Sequence, residues 1–276
     1  MLYWKGMEAL DIRLVVTDMD GTLLDDARRL PERFVESARA LAAQGVGWAI
    51  ASGRQLANLE AQFAGLPLAL DFIAENGALV RLAEEPEPFY QDLTPVPHFA
   101  EVLKAALAVP DATPVLCGAS CAWVHDGCPR NAPEVAHYFA RTMPWRQLEE
   151  VAGRSVCKAA IYHPRAAEAL WPALAPCATE ALRVILSGPC WIDVQPARIH
   201  KGRGLAALLA RRGLAPEQAM VFGDYLNDLE MMTLGTHAVA MGNAHPALRA
   251  ACSHETAANT EDGVLGYLRR KGLLPA

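Results

Sequence analysis

Four short segments concentrate residue types that handle anions: Asp18-Met19-Asp20-Gly21-Thr22-Leu23, Ser52-Gly53-Arg54, Lys201-Gly202 and Gly223-Asp224-Tyr225-Leu226-Asn227-Asp228. Brought together, Asp18, Asp20, Asp224 and Asp228 would crowd several carboxylates into one place. Such a group repels itself unless a hard cation sits among its oxygens. Mg2+ suits that role, because it takes oxygen ligands and keeps water and substrate phosphate in its shell. Ser52, the backbone N–H of Gly53, Lys201 and Asn227 add hydrogen-bond donors and one positive charge. Those groups match the non-bridging oxygens of a phosphoryl group. Each piece alone also has an ordinary explanation. Asp18 and Asp20 could cap a helix or shape a turn, Ser52-Gly53 could open a helix, Lys201 could be a solvated helix residue, and Asn76 could simply end a strand.

The elements around these segments make the shared chemistry the better reading. Residues 12–17 form a short apolar, β-branched run of the kind found in buried parallel strands, and it stops at Asp18. Residues 31–44 read as a helix with Phe34, Ala38 and Leu41 on one face and Gly45 as its stop. A strand over 46–50 runs into Ser52-Gly53, a helix follows over 55–63, and a strand over 71–74 ends at Glu75-Asn76-Gly77. Strand and helix in alternation predict a doubly wound α/β sheet, and ligands of such sheets bind at the carboxyl ends of the strands.

Between residues 84 and 190 the rhythm changes, with Pro86, Pro88, Pro95, Pro97, Pro110 and Pro114 in quick succession. Strand-like pieces at 122–124, 156–162 and 182–186 and helical ones at 99–107 and 165–174 suggest an α+β region. Regular α/β resumes near Trp191, with helices over 201–212, 228–234 and 246–251 and strands over 219–222 and 237–241. The expected organisation is an α/β core of residues 1–84 and 191–276, interrupted by an inserted α+β domain at 85–190.

The four segments, in this order, resemble the motifs of the haloacid dehalogenase superfamily of phosphatases. Glu75-Asn76-Gly77, Ala240-Met241-Gly242-Asn243-Ala244 and Asn259-x-Glu261-Asp262-Gly263-Val264 resemble its Cof-type branch, subclass IIB. That branch includes sugar phosphatases, sucrose-phosphate phosphatases and mannosyl-3-phosphoglycerate phosphatases. The resemblance covers residues 12–82 and 190–270 and fades over 85–190, where such proteins carry a cap domain. It implies a Rossmann-like core with a C2B-type cap, and Mg2+-dependent hydrolysis of a small phosphorylated metabolite, a sugar phosphate above all.

By this resemblance Asp18 is the nucleophile that forms an aspartyl-phosphate. Asp20 protonates the leaving oxygen and then activates water. Mg2+ is held by the Asp18 carboxylate, the Asp20 backbone carbonyl and Asp224, and the phosphoryl group by Ser52, Gly53, Lys201 and Asn227. Thr22, Arg54, Asn76, Lys158 and Asp228 are candidates for substrate contact or for supporting those residues. Two positions depart from the commonest pattern: Thr17, where relatives often carry Phe, and Tyr225, where small residues are frequent.

Composition narrows the function classes. The chain has 276 residues, 52% hydrophobic and 20% charged, enough apolar surface for a core and too little charge for disorder. That length allows two domains. A net charge of −6 and the lack of a basic stripe argue against nucleic acid and membrane-surface partners. No apolar run of about 18 residues is present. Glu8 and Asp11 fall where a secretory signal would need apolar residues, so a cytoplasmic protein is expected. The seven cysteines include no Cys-x-x-Cys pair. Cys117, Cys121, His125 and Cys128 are too irregularly spaced for a structural zinc site, and idle thiols are the expectation. Two other functions share these motifs: a phosphomutase or phosphotransferase using the same aspartate pair, and a non-catalytic binding protein of the same fold.

Overall fold

A computed structural model describes residues 11–235 and 237–275. The stretch 1–10, which includes Glu8 of the segment read as unlike a secretory signal, lies outside the described residues. The chain forms two compact units. One comprises the residues up to Ile50, Pro67–Asp71 and the residues from Leu205 onward; the other comprises Ala51–Leu66 and Phe72–Gly204.

The first unit is built on a parallel sheet. Its strands lie in the order His254–Glu255, His237–Ala240, Ala219–Gly223, Leu14–Thr17 and Gly47–Ala51, each parallel to its neighbour. Leu14–Thr17 and Ala219–Gly223 are buried at every position, as strands covered on both faces must be. Thr17 stands opposite both Phe222 and Ile50, so the chain leaves three strands side by side at one carboxyl edge. The helix Phe34–Ala43 turns Phe34, Ala38 and Leu41 inward, and Gly45, at φ +75°, lets the chain leave it. Phe34 meets Trp48 edge to face at 4.9 Å, and the Trp48 indole donates to Thr17 Oγ1 at 3.1 Å. The hydroxyl at position 17 thus satisfies a buried indole N–H.

The second unit carries a six-stranded sheet in the order Leu182–Gly188, Trp191–Pro196, Lys158–Tyr162, Thr113–Cys117, Ala122–His125 and Thr142–Trp145. All neighbours are antiparallel except the last pair. The helix Ala100–Leu107 packs Leu103 into a core with Phe99, Trp145, Ile161 and Ile192. Leu70–Ala74 pairs antiparallel with Leu79–Arg81, and that strand with Tyr90–Gln91.

Several expectations need correction. The single strand expected over 156–162 is two: Ser155–Val156 pairs with Thr94–Pro95, and Lys158–Tyr162 joins the large sheet. The helix expected over 165–174 is a 3-10 turn, Ala167–Ala169, followed by one helical turn, Trp171–Leu174. Pro172 sits where a continuous helix would need an N–H. Trp191–Pro196 does not resume parallel α/β; it pairs antiparallel with both Lys158–Tyr162 and Leu182–Gly188. The helix expected from 228 begins at Leu229, after a 3-10 turn over Leu226–Asp228.

Candidate active site

The carboxyl edge of the parallel sheet gathers the acidic residues. Asp18 follows Leu14–Thr17 and donates its backbone N–H to the Phe222 carbonyl at 3.1 Å. Asp224 follows Ala219–Gly223, and Asp228 closes the next turn. Carboxylate oxygens of Asp18, Asp224 and Asp228 all lie within 4.8 Å of one another; among the described residues no other group of His, Cys, Asp and Glu converges in this way. Asp18 and Asp228 are buried and Asp224 is half-buried.

Their neighbours explain why they stay there. Thr22 Oγ1 donates to Asp224 Oδ1 at 2.9 Å. Gly21, at φ +81°, lies so close to Asp224 that a Cβ there would meet Oδ2 at 2.4 Å; only glycine fits both the backbone and the contact. Asp228 Oδ2 accepts the backbone N–H of Asp224 at 3.1 Å and of Tyr225 at 3.3 Å. Asn243 Nδ2 donates to the Gly21 carbonyl at 2.8 Å, and Asn259 Nδ2 to the Leu24 carbonyl at 2.9 Å. The Asn243 and Asn259 segments therefore brace the loop that follows Asp18.

The sequence places Asp228 in support; in the structure it also belongs to the converging set. Asp20 does not: its side chain is exposed. Asn227 is exposed in the turn before Asp228. Tyr225, 57% exposed, stands edge to face with His245 at 5.7 Å. Three buried or half-buried carboxylates turned toward one point form an all-oxygen donor set, and such a set fits a hard divalent cation such as Mg2+.

The second unit holds the other candidates. Ser52 is buried; its backbone N–H donates to the Ile73 carbonyl at 2.8 Å and its own carbonyl accepts the Asn76 N–H at 3.0 Å. Ser52 Oγ accepts the Arg54 N–H at 3.2 Å. The Arg54 guanidinium donates to Gln62 Oε1 at 2.7 Å. Glu75 and Asn76 both have left-handed backbone, φ +49° and +55°, and a Cβ on Gly77 would strike the His200 carbonyl oxygen at 2.4 Å. Asn76 Nδ2 donates to Gln195 Oε1 at 3.2 Å, and Gln195 Nε2 to the Ile199 carbonyl at 2.9 Å. That relay ends two residues before the fully buried Lys201, the first residue of helix Lys201–Arg212.

Sequence reasoning singled out Lys158 but missed its two partners. Glu75 and Asp193 are buried beside Lys158, whose Nζ lies 2.8 Å from Asp193 Oδ2 and 3.3 Å from Glu75 Oε2. Burial pushes the Glu75 carboxyl up, against the opposing pull of Lys158. Burial works to lower the Lys158 ammonium, but Asp193 and Glu75 outweigh it and hold it well above the usual lysine value. A detectable signal was present: Lys158 and Asp193 are single charges inside otherwise apolar strand runs, and lone buried charges must find partners. Gln55 and Asn58 were also missed. Asn58 Oδ1 accepts the Ala140 N–H at 2.7 Å while its Nδ2 donates to the Tyr138 carbonyl, and Gln55 exchanges both bonds with the backbone of Arg141 at 3.3 and 3.4 Å. Burial also drives the Cys117 and Cys157 thiols well above their ordinary range, the behaviour of inert thiols.

Residues 15–268 match the haloacid dehalogenase-like hydrolase family, and the chain belongs to it. A relative from Escherichia coli (strain K12), named 5-amino-6-(5-phospho-D-ribitylamino)uracil phosphatase YbjI, is 29% identical over 267 residues, 94% of this chain and 96% of its own. Among solved structures, a haloacid dehalogenase-like hydrolase from Bacteroides thetaiotaomicron superposes with a TM-score of 0.81 at 23% identity, covering 94% of this chain and 99% of its own. The subclass IIB sugar phosphatase BT4131 gives 0.75 at 22% identity, covering 95% and 100%. These structural likenesses show the shared fold, a core with a cap domain. The family and fold expected from the motifs are thereby borne out, and the chain is an enzyme of the hydrolase type. Among the described residues no helix is long and apolar enough to cross a membrane.

Proposed function

We propose that this protein is a Mg2+-dependent phosphatase that hydrolyses a small phosphorylated metabolite, a sugar phosphate or sugar-alcohol phosphate, through an aspartyl-phosphate. The observation that carries the reading is the convergence of Asp18, Asp224 and Asp228 at the carboxyl edge of the parallel sheet. The name of the E. coli relative, a phosphatase of a phosphorylated ribityl compound, supports the substrate class. Asp18, Asp224 and Asp228, with the Asp20 backbone carbonyl, are the residues that would hold Mg2+. When bound, the ion offsets the repulsion between an anionic nucleophile and an anionic ester.

In this reading Asp18 attacks phosphorus and the ester oxygen leaves with a proton from the Asp20 carboxyl. Asp20 then takes a proton from the water that attacks the aspartyl-phosphate, releasing inorganic phosphate and restoring Asp18. The exposed position of Asp20 suits a group that must exchange protons with a leaving group and with water. Ser52, the Gly53 N–H, Lys201 and Asn227 hold the phosphoryl oxygens. An α/β core of 1–84 and 191–276, interrupted at 85–190, is proposed with it. The antiparallel pairing of Trp191–Pro196 with Lys158–Tyr162 argues for extending the inserted body to Pro196.

Phosphate release from a panel of phosphomonoesters, with and without Mg2+, tests the reading. Equal turnover by wild type and Asp18→Asn ends it. Transfer of phosphate from a diphosphorylated sugar to a sugar hydroxyl, in place of release, replaces it with the phosphomutase alternative.

A further inference from the structure

One lysine in the second unit occupies a position the proposed chemistry does not yet explain. Lys158, Asp193 and Glu75 are 6%, 5% and 1% exposed. Lys158 Nζ donates to Asp193 Oδ2 at 2.8 Å and to the Gly53 backbone carbonyl at 3.1 Å, and it lies 3.3 Å from Glu75 Oε2. An ammonium has three protons. Two of them go to the Asp193 carboxylate and the Gly53 carbonyl, and the Glu75 carboxylate lies at ion-pair distance, so the chain itself supplies the surroundings of this charge.

The informative contact is the one to Gly53. Its carbonyl shares a rigid peptide plane with the Arg54 N–H. Lys158 holds the oxygen side of that plane, and on the other side the Arg54 N–H donates to Ser52 Oγ at 3.2 Å. A hydroxyl oxygen that accepts one hydrogen bond keeps its own proton to donate. The turn is clasped from below as well. The Glu75 N–H donates to the Arg54 carbonyl at 3.1 Å, and the Asn76 N–H to the Ser52 carbonyl at 3.0 Å. Glu75 thus touches the turn through its backbone and Lys158 through its side chain.

We propose that Lys158 is a positioning residue for phosphate recognition: by holding the Gly53 carbonyl it fixes the Gly53–Arg54 peptide plane, and through the Arg54 N–H it sets the Ser52 hydroxyl as a donor to a phosphoryl oxygen. The inference rests on the reading that Ser52 and Gly53 contact phosphate. It extends that reading to a lysine on a strand of the antiparallel sheet, more than a hundred residues away in sequence. It also explains why a charge is buried in the run Cys157-Lys158-Ala159-Ala160-Ile161.

The test is calorimetric titration of the full-length protein with inorganic phosphate in the presence of Mg2+, beside hydrolysis of p-nitrophenyl phosphate and thermal unfolding. In folded Lys158→Met the phosphate Kd should rise about tenfold or more, the scale of one lost hydrogen bond to a charged group. The p-nitrophenyl phosphate KM should rise with it. Lys158→Arg, which keeps a cationic donor, should recover part of the loss. Should Lys158→Met fail to fold, Glu75→Gln/Lys158→Met/Asp193→Asn, which leaves no charge buried in the cluster, is compared with wild type, and the same loss is expected. A phosphate Kd within about twofold of the reference overturns the proposal. So does a defect confined to ester hydrolysis, which would make Lys158 a leaving-group contact. Wild type that binds and hydrolyses normally while the variants match it ends this inference alone. Wild type that neither binds phosphate nor turns over ends the proposed function, and this inference with it.

Discussion

The two units gather carboxylates in opposite ways. At the edge of the parallel sheet, Asp18, Asp224 and Asp228 turn their oxygens toward one another within 4.8 Å, and a hydroxyl and backbone N–H groups hold two of the three in place. In the second unit, Asp193 and Glu75 face a lysine that the chain itself supplies. The first arrangement is shaped to receive a cation from solution; the second has its cation built in. Removing a group from the first should change chemistry and metal response. Removing one from the second should change the stability and aim of the turn above it.

The largest effect should come from the reacting carboxylate. Asp18→Asn should lower turnover by about 10³-fold or more while thermal unfolding stays cooperative, since removing a covalent nucleophile removes the reaction path. A loss of folding instead would make the acidic edge structural. Asp20→Asn should cost about 10²–10⁴-fold, the range for a positioned acid and base.

Breaking the built-in pair comes next. Asp193→Asn leaves Lys158 without its nearest carboxylate and should destabilise the protein by about 3–5 kcal/mol in a urea titration. An unchanged midpoint would mean that Glu75 alone suffices as the counter-charge.

Metal dependence separates the two sites most directly. Mg2+ at about 100 times its Kd should stabilise wild type by about 2.7 kcal/mol, by mass action. Chelation should remove that gain along with activity. Asp224→Asn should show a reduced response to Mg2+ and Asp193→Asn a full one; equal responses would erase the distinction between the clusters.

The smallest effect concerns Glu75. Burial holds its carboxyl above the ordinary glutamate value, so the folded state binds that proton more tightly than the unfolded chain does. The resulting contribution is complete below the ordinary glutamate pKa and is lost as pH rises through the raised folded-state value. Glu75→Gln should therefore lose little stability at acid pH and flatten the decline toward neutrality. Unfolding curves for both proteins across that interval check the sign.

The acidic edge was legible in sequence because its information is local. A buried strand, a turn and a carboxylate follow one another within a few residues, both after Leu14–Thr17 and after Ala219–Gly223. The Lys158 cluster was not, because its members come from Glu75, Lys158 and Asp193, and only the antiparallel register that pairs Ala160 with Asp193 brings the two strands together. Glu75 entered only as part of the Glu75-Asn76-Gly77 motif at the end of a strand, with no partner assigned to its side chain. The regions misread as continuous elements fail for physical reasons too: Pro172 interrupts a helical pattern, and Cys157 marks where the chain passes from one sheet to another. Asp228 was half legible, since a residue four after Asp224 can support its backbone or join its carboxylate, and here it does both.

The grip of Gln55 and Asn58 on residues 138–141 has an evolutionary corollary. Both amides recognise main chain only, so the gripped stretch is anchored whatever side chains it carries, with proline at 140 or 141 the exception because each N–H is in use. Mutational drift can therefore rewrite the chemistry of that stretch while its attachment point endures.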